Sequence, residues 1–450
     1  MKIHFIGIGG IGMSSIALHR FFQGHEITGS NITGNERTSY LEKLGISVHI
    51  GHDASNLSED TDLVIVTRAV PKTNPELKKA MLMEFPVMER NDALIEIVKD
   101  LHPSIAVTGT DGKTTTTAMI FHVLKKLGEN LYGFLGGLHS AFEHGNYSTG
   151  NNGVVFELDE STPVFSKYTV DHLVITNSRG DHLENFENDL RVYVKSFIDL
   201  IENVKGLVVT FADDELTGEL GEVTFGVGRG SYRFLERSAN GGHQVFSFQD
   251  PKGRTRKVEL SVPGFHNCLN ALATIALLTS LGFGCDEVVE ALRDFQSVHR
   301  RFTISFSDVG RKIFVIDDYA HTPEEIESLL KTVKEVFTDE KIVAVFQPHR
   351  YSRTLRENGR FSKVLSLADV VYVTSIYGAF EKSLKVTGLD IAEGVQKNGK
   401  EAYYFERLND LIDELPLREH TVYLFIGAGD IIDYSKTFIK RIKALEGVKS

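Results

Sequence analysis

The sequence has little cysteine, no long hydrophobic run and no excess of positive charge. Cys268 and Cys285 are its only cysteines, too few for a disulfide framework and typical of a protein kept in a reducing cytosol. No stretch approaches the roughly 18 uninterrupted apolar residues of a membrane-spanning helix, so we expect no membrane insertion. No basic segment followed by an apolar run opens the chain, so we expect no secretory signal. The formal net charge of -12 disfavours a nucleic-acid backbone as partner.

The sequence does contain a pattern of alternating strands and helices, and this pattern begins at three places along the chain. Short β-branched runs alternate with helix-length segments, which is typical of parallel α/β construction. New starts occur at "KIHFIG" (residues 2–7), "IAVTG" (105–109) and "RRFTISFSD" (300–308). A chain of 450 residues is long enough for several domains. We predict three α/β domains, over residues 1–101, 102–299 and 300–450.

The stretch "GTDGKT", Gly109 to Thr114, lies between a predicted strand and a predicted helix. Glycines there allow backbone N–H groups to approach phosphate oxygens, and the helix N-terminus adds its positive end. In such loops the lysine, here Lys113, reaches the β- and γ-phosphates, and the following hydroxyl, here Thr114, binds Mg²⁺. Val107 stands where the usual pattern has its first glycine. A GKT triplet alone is common in loops, but the strand and helix around this one favour a nucleoside triphosphate site.

A second glycine loop opens the chain. Gly7, Gly9 and Gly12 have the G-x-G-x-x-G spacing of a dinucleotide-binding turn, after a strand and before a helix. NAD binding would also require an acidic residue at the tip of the second strand, to hold a ribose hydroxyl. That tip carries Ser30 and Asn31 and no carboxylate. The pattern therefore favours a diphosphate site over an NAD site, with a purely structural turn as the alternative.

Two further groups of polar residues follow apolar strands near the second loop. Glu157, Asp159 and Glu160 end the strand "VVFE", where carboxylates can hold a nucleotide-bound Mg²⁺ or form a solvated acidic turn. Asp181 and His182 follow the strand "HLVI". A histidine and carboxylates on neighbouring strand ends can share a metal site, but a lone histidine is more often structural.

The later part of the chain repeats this arrangement. "PGFHNCLNALA" places His266, Asn267 and Asn270 at the start of a helix, where amides read an adenine edge or cap the helix. Ligands collect at the carboxyl ends of parallel strands, and arginines there can grip a carboxylate with two hydrogen bonds. The candidates after the last strands are Asp317, Asp318, His321, His349, Arg350 and Arg353. Exposed arginines are common, so a surface role is the alternative.

Nine segments, in order along the chain, resemble the Mur ligases, ATP-dependent enzymes that build the peptide stem of bacterial peptidoglycan. They are "GIGGIGMS", "GTDGKTTT", "ELDES", "DHLENF", "PGFHNCLNALA", "VHRRF", "DDYAHTP", "FQPHRYSRT" and "GAGDI". Each is weak alone, but nine in order exclude chance. The resemblance covers essentially the whole chain, and "DDYAHTP" and "FQPHRYSRT" look like the alanine-adding branch.

The resemblance implies an N-terminal Rossmann-like domain for a UDP-sugar, a central P-loop ATPase-type domain and a C-terminal Rossmann-like domain for an amino acid. It implies ATP-dependent joining of L-alanine to the lactyl carboxylate of UDP-N-acetylmuramate through an acyl phosphate, in the cytoplasm. ATP and two Mg²⁺ ions, replaceable by Mn²⁺, would be required. The chain would act as a monomer or weak homodimer, without nucleic acid.

The resemblance also assigns residues to roles. The UDP-sugar site would comprise Gly7, Gly9, Gly10, Ile11, Gly12, Met13, Ser30 and Asn31. The ATP site would comprise Gly109, Thr110, Asp111, Gly112, Lys113, Thr114, Thr115, Asn267 and Arg301. Metal ligands would be Thr114, Glu157 and His182, and amino-acid contacts would be His349, Arg350 and Arg353. Catalytic roles fall on Lys113, His182, His321 and His349, with either of the last two as a candidate base for the alanine amine.

Some positions depart from the family pattern. Asp111 stands where histidine or asparagine is commoner, which places an extra negative charge near the triphosphate. Thr322 replaces the second histidine of a common "DDYAHHP", and Glu184 stands where aspartate is usual.

Three other functions remain open at this point. A ligase of the same family could add a recycled murein peptide or another amino acid. An NAD-dependent oxidoreductase would use the first loop, and a regulatory protein would bind nucleotide without turnover.

Overall fold

Strands and helices alternate along the chain, as the apolar runs predict. The structure, a computed structural model, describes residues 1–180, 182–357, 359–379 and 381–447. In these residues the strands form three sheets, and most neighbouring strands are parallel. The α/β class is thereby confirmed. No helix of the described part is long and apolar enough to cross a membrane.

The first sheet is wholly parallel, with strand order β3-β2-β1-β4-β5. The first glycine loop joins β1 to α1, beside the point where the strand order reverses, and ligands of open α/β sheets bind at such points. The elements are β1 (Lys2–Ile6), α1 (Ile11–Phe22), β2 (Glu26–Asn31), α2 (Glu36–Lys43), β3 (Ser47–Ile50), β4 (Leu63–Val66), α3 (Pro75–Leu82), β5 (Val87–Glu89) and α4 (Arg90–Val98).

The second sheet places β6 between β10 and β9. Its elements are β6 (Ser104–Thr108), α5 (Lys113–Lys126), β7 (Tyr132–Phe134), β8 (Tyr147–Ser148), β9 (Val154–Glu157), β10 (His172–Ile175), α6 (Leu190–Ile201), β11 (Val208–Phe211), β12 (Val223–Gly226), β13 (Tyr232–Asn240), β14 (His243–Gln249), β15 (Thr255–Leu260), α7 (Phe265–Ser280) and α8 (Cys285–Leu292). The order β12-β11-β10-β6-β9-β7-β8 brings the carboxyl ends of three strands, β6, β9 and β10, side by side.

The third sheet has the order β16-β17-β21-β18-β19-β20, with β16 antiparallel to β17. Its elements are β16 (Thr303–Asp308), β17 (Ile313–Asp318), α9 (Pro323–Val336), β18 (Lys341–Phe346), α10 (Tyr351–Arg356), α11 (Arg360–Leu365), β19 (Val370–Thr374), α12 (Gly388–Lys397), β20 (Glu401–Phe405), α13 (Leu408–Glu414), β21 (Thr421–Ile426) and α14 (Ile431–Gly447). The nearly continuous burial of β17, β18 and β21 is typical of parallel strands covered on both faces.

The chain divides into two compact units. The first comprises Met1–Glu236, Phe246–Glu259 and Cys268–Gln296, and the second comprises Arg237–Val245, Leu260–Asn267 and Ser297–Ser450. One hydrophobic cluster in the first unit contains residues of both its sheets, such as Phe5 and Phe156. Polar contacts join the same two parts, since Arg37 donates to Asn146 Oδ1 (2.7 Å) and Asn146 Nδ2 donates to the Ile11 carbonyl (2.7 Å).

Candidate active site

The second glycine loop has the backbone that phosphate binding requires. Gly109 and Gly112 have φ values of +126° and +81°, which side chains disfavour. Gly112 is the N-cap of α5, and no side chain of the described residues caps this end. Thr114 and Thr115, in the first turn, are half-buried. The first amide groups of α5 therefore have no side-chain cap among the described residues, and phosphate binding there stays a prediction.

Lys113 is folded back onto its own loop. Its Nζ donates to the carbonyls of Gly109 (2.5 Å) and Thr110 (3.1 Å) and lies 2.9 Å from Glu160 Oε2. Burial opposes the charge on Lys113, but the surrounding carboxylates outweigh burial and raise its pKa. A γ-phosphate would take over the role of these oxygen partners.

The acidic residues after β9 surround this lysine. Burial raises the pKa of Glu160 to about 7, against the attraction of Lys113. Burial also opposes ionisation of Asp159, yet Arg90 and Lys113 lower its pKa to about 2. Glu157 accepts a hydrogen bond from the Gly136 amide (3.1 Å). Because Arg90 pairs with Asp159 and Lys113 with Glu160, this segment is more than a solvated acidic turn.

The segment after β10 holds the loop from the other side. The Thr110 amide donates to the Asn177 carbonyl (2.9 Å), and the Asp111 amide donates to Asn177 Oδ1 (3.0 Å). Thr176 Oγ1 donates to the Asp111 carbonyl (2.6 Å). Asp111 also forms an ion pair with Arg179. Three hydrogen bonds and an ion pair thus hold the loop against this segment.

The structure describes only part of the surroundings of the predicted metal ligands. His182, with φ of +61°, has Nδ1 3.4 Å from Glu184 Oε1, and Asp181 lies outside the described residues. In the described part of the chain, no three His, Cys, Asp or Glu side chains form a group that could hold a metal. The Thr114 hydroxyl and the Glu157 carboxylate are nevertheless the hard oxygen donors that Mg²⁺ prefers, and Mg²⁺ keeps several waters and phosphate oxygens as ligands. Binding of Mg²⁺ together with a nucleotide therefore stays a prediction for these residues.

Asn270 is the amide of α7 that lies against the phosphate loop. A Cβ on Gly112 would be 2.5 Å from Asn270 Oδ1. The predicted Asn267 is buried and donates to the Pro263 carbonyl (2.7 Å). Because residues three apart share one helix face, the sequence could not separate the two amides.

The first glycine loop also ends in an uncapped helix. Gly10 is the N-cap of α1 and no described side chain caps it, while Ile11 begins the helix and Met13 is buried in its core. Asn31 Oδ1 accepts a hydrogen bond from the Gly9 amide (3.2 Å). Asn31 therefore shapes the loop backbone.

Ser30 belongs to a buried network that the sequence did not reveal. Its hydroxyl donates to Glu76 Oε2 (2.5 Å), and Asn56 Nδ2 donates to Glu76 Oε1 (2.6 Å). His4 Nε2 lies 3.6 Å from Glu76 Oε2, and the Glu76 side chain is completely buried. Burial opposes ionisation of Glu76, but the nearby His4 and the hydrogen bonds from Ser30 and Asn56 outweigh it and lower the pKa to about 2. Ser30 thus contacts an internal anion under the predicted diphosphate loop.

Arg90 connects the two glycine-loop regions and was also missed. A Cβ on Gly12 would lie 2.6 Å from Arg90 Nη1, so the guanidinium covers this part of the first loop. Its Nη2 donates to Asp159 Oδ2 (2.9 Å), in the acidic segment near Lys113. No spacing in the sequence points to this pair.

In the second unit, the predicted histidines and an arginine lie together. The ring centroids of His321 and His349 are 5.9 Å apart, and Tyr377 stacks on His349 at 5.7 Å. Buried Arg353 has Nη1 3.2 Å from His349 Nδ1. Burial lowers the pKa of His321 to about 4, and burial together with nearby positive charge lowers that of His349 to about 3. Both rings are therefore neutral at pH 7 and weakly basic, which favours positioning over proton abstraction before a ligand binds.

Arg350 combines an unusual backbone conformation with an unpartnered side-chain donor. It adopts φ of +71°, an unusual conformation for a side-chain-bearing residue. Its buried Nε has no hydrogen-bond partner among the described residues. A carboxylate would satisfy this donor.

Two other residues of this unit have structural partners. Arg301 Nη1 donates to Glu325 (3.2 Å). Thr322, the departure from the family pattern, caps α9 and forms a reciprocal capping box with Glu325. Threonine at this position therefore stabilises the helix start.

Comparison with known proteins agrees with this architecture. The profile of the Mur ligase family, catalytic domain, matches residues 2–102, the Mur ligase middle domain matches 107–278, and the Mur ligase, glutamate ligase domain, matches 300–429. The UDP-N-acetylmuramate–L-alanine ligase of Thermotoga sp. (strain RQ2) is 52% identical over 446 residues, covering 99% of this chain and 97% of that protein. The corresponding ligase of Clostridium novyi (strain NT) is 34% identical over 451 residues, covering 98% and 97%.

Solved structures show the same relationship. The crystal structure of UDP-N-acetylmuramate-alanine ligase MurC from Thermotoga maritima matches with a TM-score of 0.91 and 50% identity, over 99% of each chain. A murein peptide ligase from Psychrobacter arcticus matches with a TM-score of 0.74 at 23% identity, over 98% of each chain, which shows a shared fold. The three domain profiles and the full-length relatives establish that this chain, a three-domain α/β protein, belongs to the Mur ligase family.

Proposed function

We propose that the chain is an ATP-dependent ligase that joins L-alanine to the lactyl carboxylate of UDP-N-acetylmuramate in peptidoglycan precursor synthesis. The observation that carries this proposal is the full-length identity of 52% to a relative bearing that name. The site supports it, because two uncapped helix starts follow glycine loops in one compact unit. The murein-peptide ligase and the NAD-dependent oxidoreductase are not favoured.

The chemistry requires activation of a carboxylate, which is a poor electrophile. The lactyl carboxylate attacks the γ-phosphorus of ATP, and the bond from this phosphorus to the β,γ-bridging oxygen breaks. ADP departs, and the phosphoryl group stays on the carboxylate as an acyl phosphate. The alanine amine then attacks the acyl carbon and phosphate departs. Such phosphoryl transfer depends mainly on positioning and charge neutralisation.

The residues of the first unit would supply both. Lys113, already cationic, would leave Glu160 for the γ-phosphate, and the amides that start α5 would bind phosphate oxygens. Thr114, Glu157 and His182 would hold Mg²⁺, which offsets negative charge on the transferring group. We also propose that two Mg²⁺ ions bind and that Mn²⁺ can replace them.

The residues of the second unit would bind the amino acid. Arg350, with an unpartnered Nε, would receive the alanine carboxylate, and Arg353 would hold the His349 ring in place. His321 or His349 would accept the amine proton only if ligand charge raises the pKa of its ring. We place the reaction in the cytoplasm and expect a monomer or weak homodimer.

Phosphate release tests the proposal. Purified protein with ATP, Mg²⁺ and UDP-N-acetylmuramate should release phosphate when L-alanine is added, and less with L-serine, glycine or a tripeptide. Lys113→Ala should abolish the release. Phosphate release that ignores L-alanine would contradict the assigned reaction, and unchanged release by Lys113→Ala would contradict the assigned ATP site.

A further inference from the structure

Asp111 is an acidic residue that the phosphate loop must accommodate. Asp111 precedes Gly112 by one position and Lys113 by two, on the loop assigned to the triphosphate. A triphosphate and a carboxylate on one short loop repel each other, and a partly exposed site screens that repulsion incompletely.

Arg179 is paired with this carboxylate. The two side chains form an ion pair and are 31% (Arg179) and 27% (Asp111) exposed. The main chain of Arg179 is fixed to the loop as well, because its amide donates to Thr110 Oγ1 (3.1 Å). The segment Thr176–Arg179 follows β10, the strand next to β6. The arginine is therefore held beside the loop by backbone contacts as well as by charge.

We propose that Arg179 is a positioning residue for nucleotide affinity in this chain: its guanidinium neutralises Asp111 and so keeps the loop receptive to ATP. The proposal rests on the assignment of ATP to this loop. It explains how the loop tolerates an acid beside the assigned triphosphate. The pair acts as one unit, so the charge of Asp111 is harmful only when Arg179 is removed.

A double-mutant cycle tests this inference without turnover. Calorimetry with ADP and Mg²⁺ should show about tenfold weaker binding to Arg179→Ala, equivalent to about 1.4 kcal/mol. Arg179→Lys should retain most of the affinity. Asp111→Asn in the Arg179→Ala background should restore binding to near the wild-type value, because the uncompensated charge is gone. In turnover, KM for ATP should rise in Arg179→Ala while KM for L-alanine and kcat stay near wild type.

Arg191→Ala provides the matched control. Arg191 forms an ion pair with Asp189 and its side chain is 91% exposed, so its removal should leave ADP binding unchanged. Melting temperatures of all variants verify folding.

The outcomes separate this inference from the proposed function. Failure of the wild-type protein to bind ADP would overturn the ATP assignment itself. Equal binding by wild type and Arg179→Ala would overturn only the role of Arg179. A double variant as weak as Arg179→Ala would show that Arg179 contacts phosphate directly, and would overturn charge compensation.

Discussion

At the scale of single residues, the first unit is built around charges buried with several partners. Glu76 receives hydrogen bonds from Ser30 and Asn56 and lies near His4. A buried carboxylate with this many donors is stable as an anion, but each donor would lose its hydrogen-bond acceptor if the carboxylate were removed. Glu76 also fixes the hydroxyl of Ser30, which lies at the tip of the strand beside the first glycine loop.

We predict that Glu76→Ala lowers the free energy of unfolding by about 3–5 kcal/mol, because it leaves buried donors without an acceptor. Glu76→Gln should lose less, since one oxygen remains. Urea denaturation at pH 7 measures both. Glu89→Ala is the control, since Glu89 pairs with Arg68 at the surface and its removal should change stability by less than about 1 kcal/mol. A loss in Glu76→Ala no larger than in this control would contradict the structural role of the network.

The lowered pKa of Glu76 adds a pH dependence of known sign. Its folded pKa is about 2 and its ordinary value is 4.5, so the folded state binds fewer protons between these values. The stabilisation is therefore complete above pH 4.5 and is lost as the pH falls toward 2. Glu76→Gln should reduce this part of the acid sensitivity in urea denaturation at pH 5 and pH 3. A wild-type slope in the glutamine variant would refute the assignment.

At the scale of elements, the same construction occurs twice: a buried strand, a glycine loop and a helix with no side-chain cap. The local sequence was sufficient to predict both, because strand burial, glycine and helix periodicity are short-range signals. The segments that hold the loops were harder to predict. Arg90 and Asp159 are 69 residues apart, and Ser30 and Glu76 are 46 apart. Only the folded sheets bring such residues together.

The start of α5 gives a further prediction. Gly112→Ala adds a Cβ 2.5 Å from Asn270 Oδ1 at a residue with φ of +81°, so both contact and backbone are strained. Gly128→Ala, just beyond the end of the same helix, has φ of +90° but no heavy atom within 4 Å of the new Cβ. Both variants should lose about 1–2 kcal/mol of stability from backbone strain. Gly112→Ala should lose more, and should also lose ADP affinity in calorimetry, whereas Gly128→Ala should bind ADP normally. Equal ADP binding by the two variants would argue against a phosphate role for this loop.

At the scale of the whole molecule, both units contain histidines whose pKa is lowered: His19 and His139 are buried, and His321 and His349 are half-buried. Burial is the largest cause in each case, and it lowers the pKa of His19 to about 3, His139 to about 4, His321 to about 4 and His349 to about 3, against an ordinary value of 6.5. The unfolded chain binds these protons first as the pH falls. The stability that neutral rings provide is thus complete above pH 6.5 and declines below it.

We predict that the free energy of unfolding decreases from pH 6.5 to pH 4.5, with up to about 1.4 kcal/mol per pH unit for each such histidine. Urea denaturation at four pH values in this range measures the slope. His19→Asn should reduce the slope by roughly one histidine's share. An unchanged slope in that variant would show that His19 is not neutral in the folded protein.

The sequence by itself determined the α/β class, the two glycine loops and the family, because these depend on short motifs and their order. Only the tertiary structure decided which distant side chains complete each loop: Asn270 and Arg179 at the phosphate loop, Glu76 under Ser30, and Arg90 between the two regions. Thr322 differs from these, because its role as the cap of α9 depends on Glu325, only three residues away. The physical reason is the separation along the chain between the residues that interact. Backbone conformation and amphipathic pattern are encoded by neighbours in sequence, whereas charge compensation and hydrogen-bond partners are set by which strand ends the sheet order places side by side.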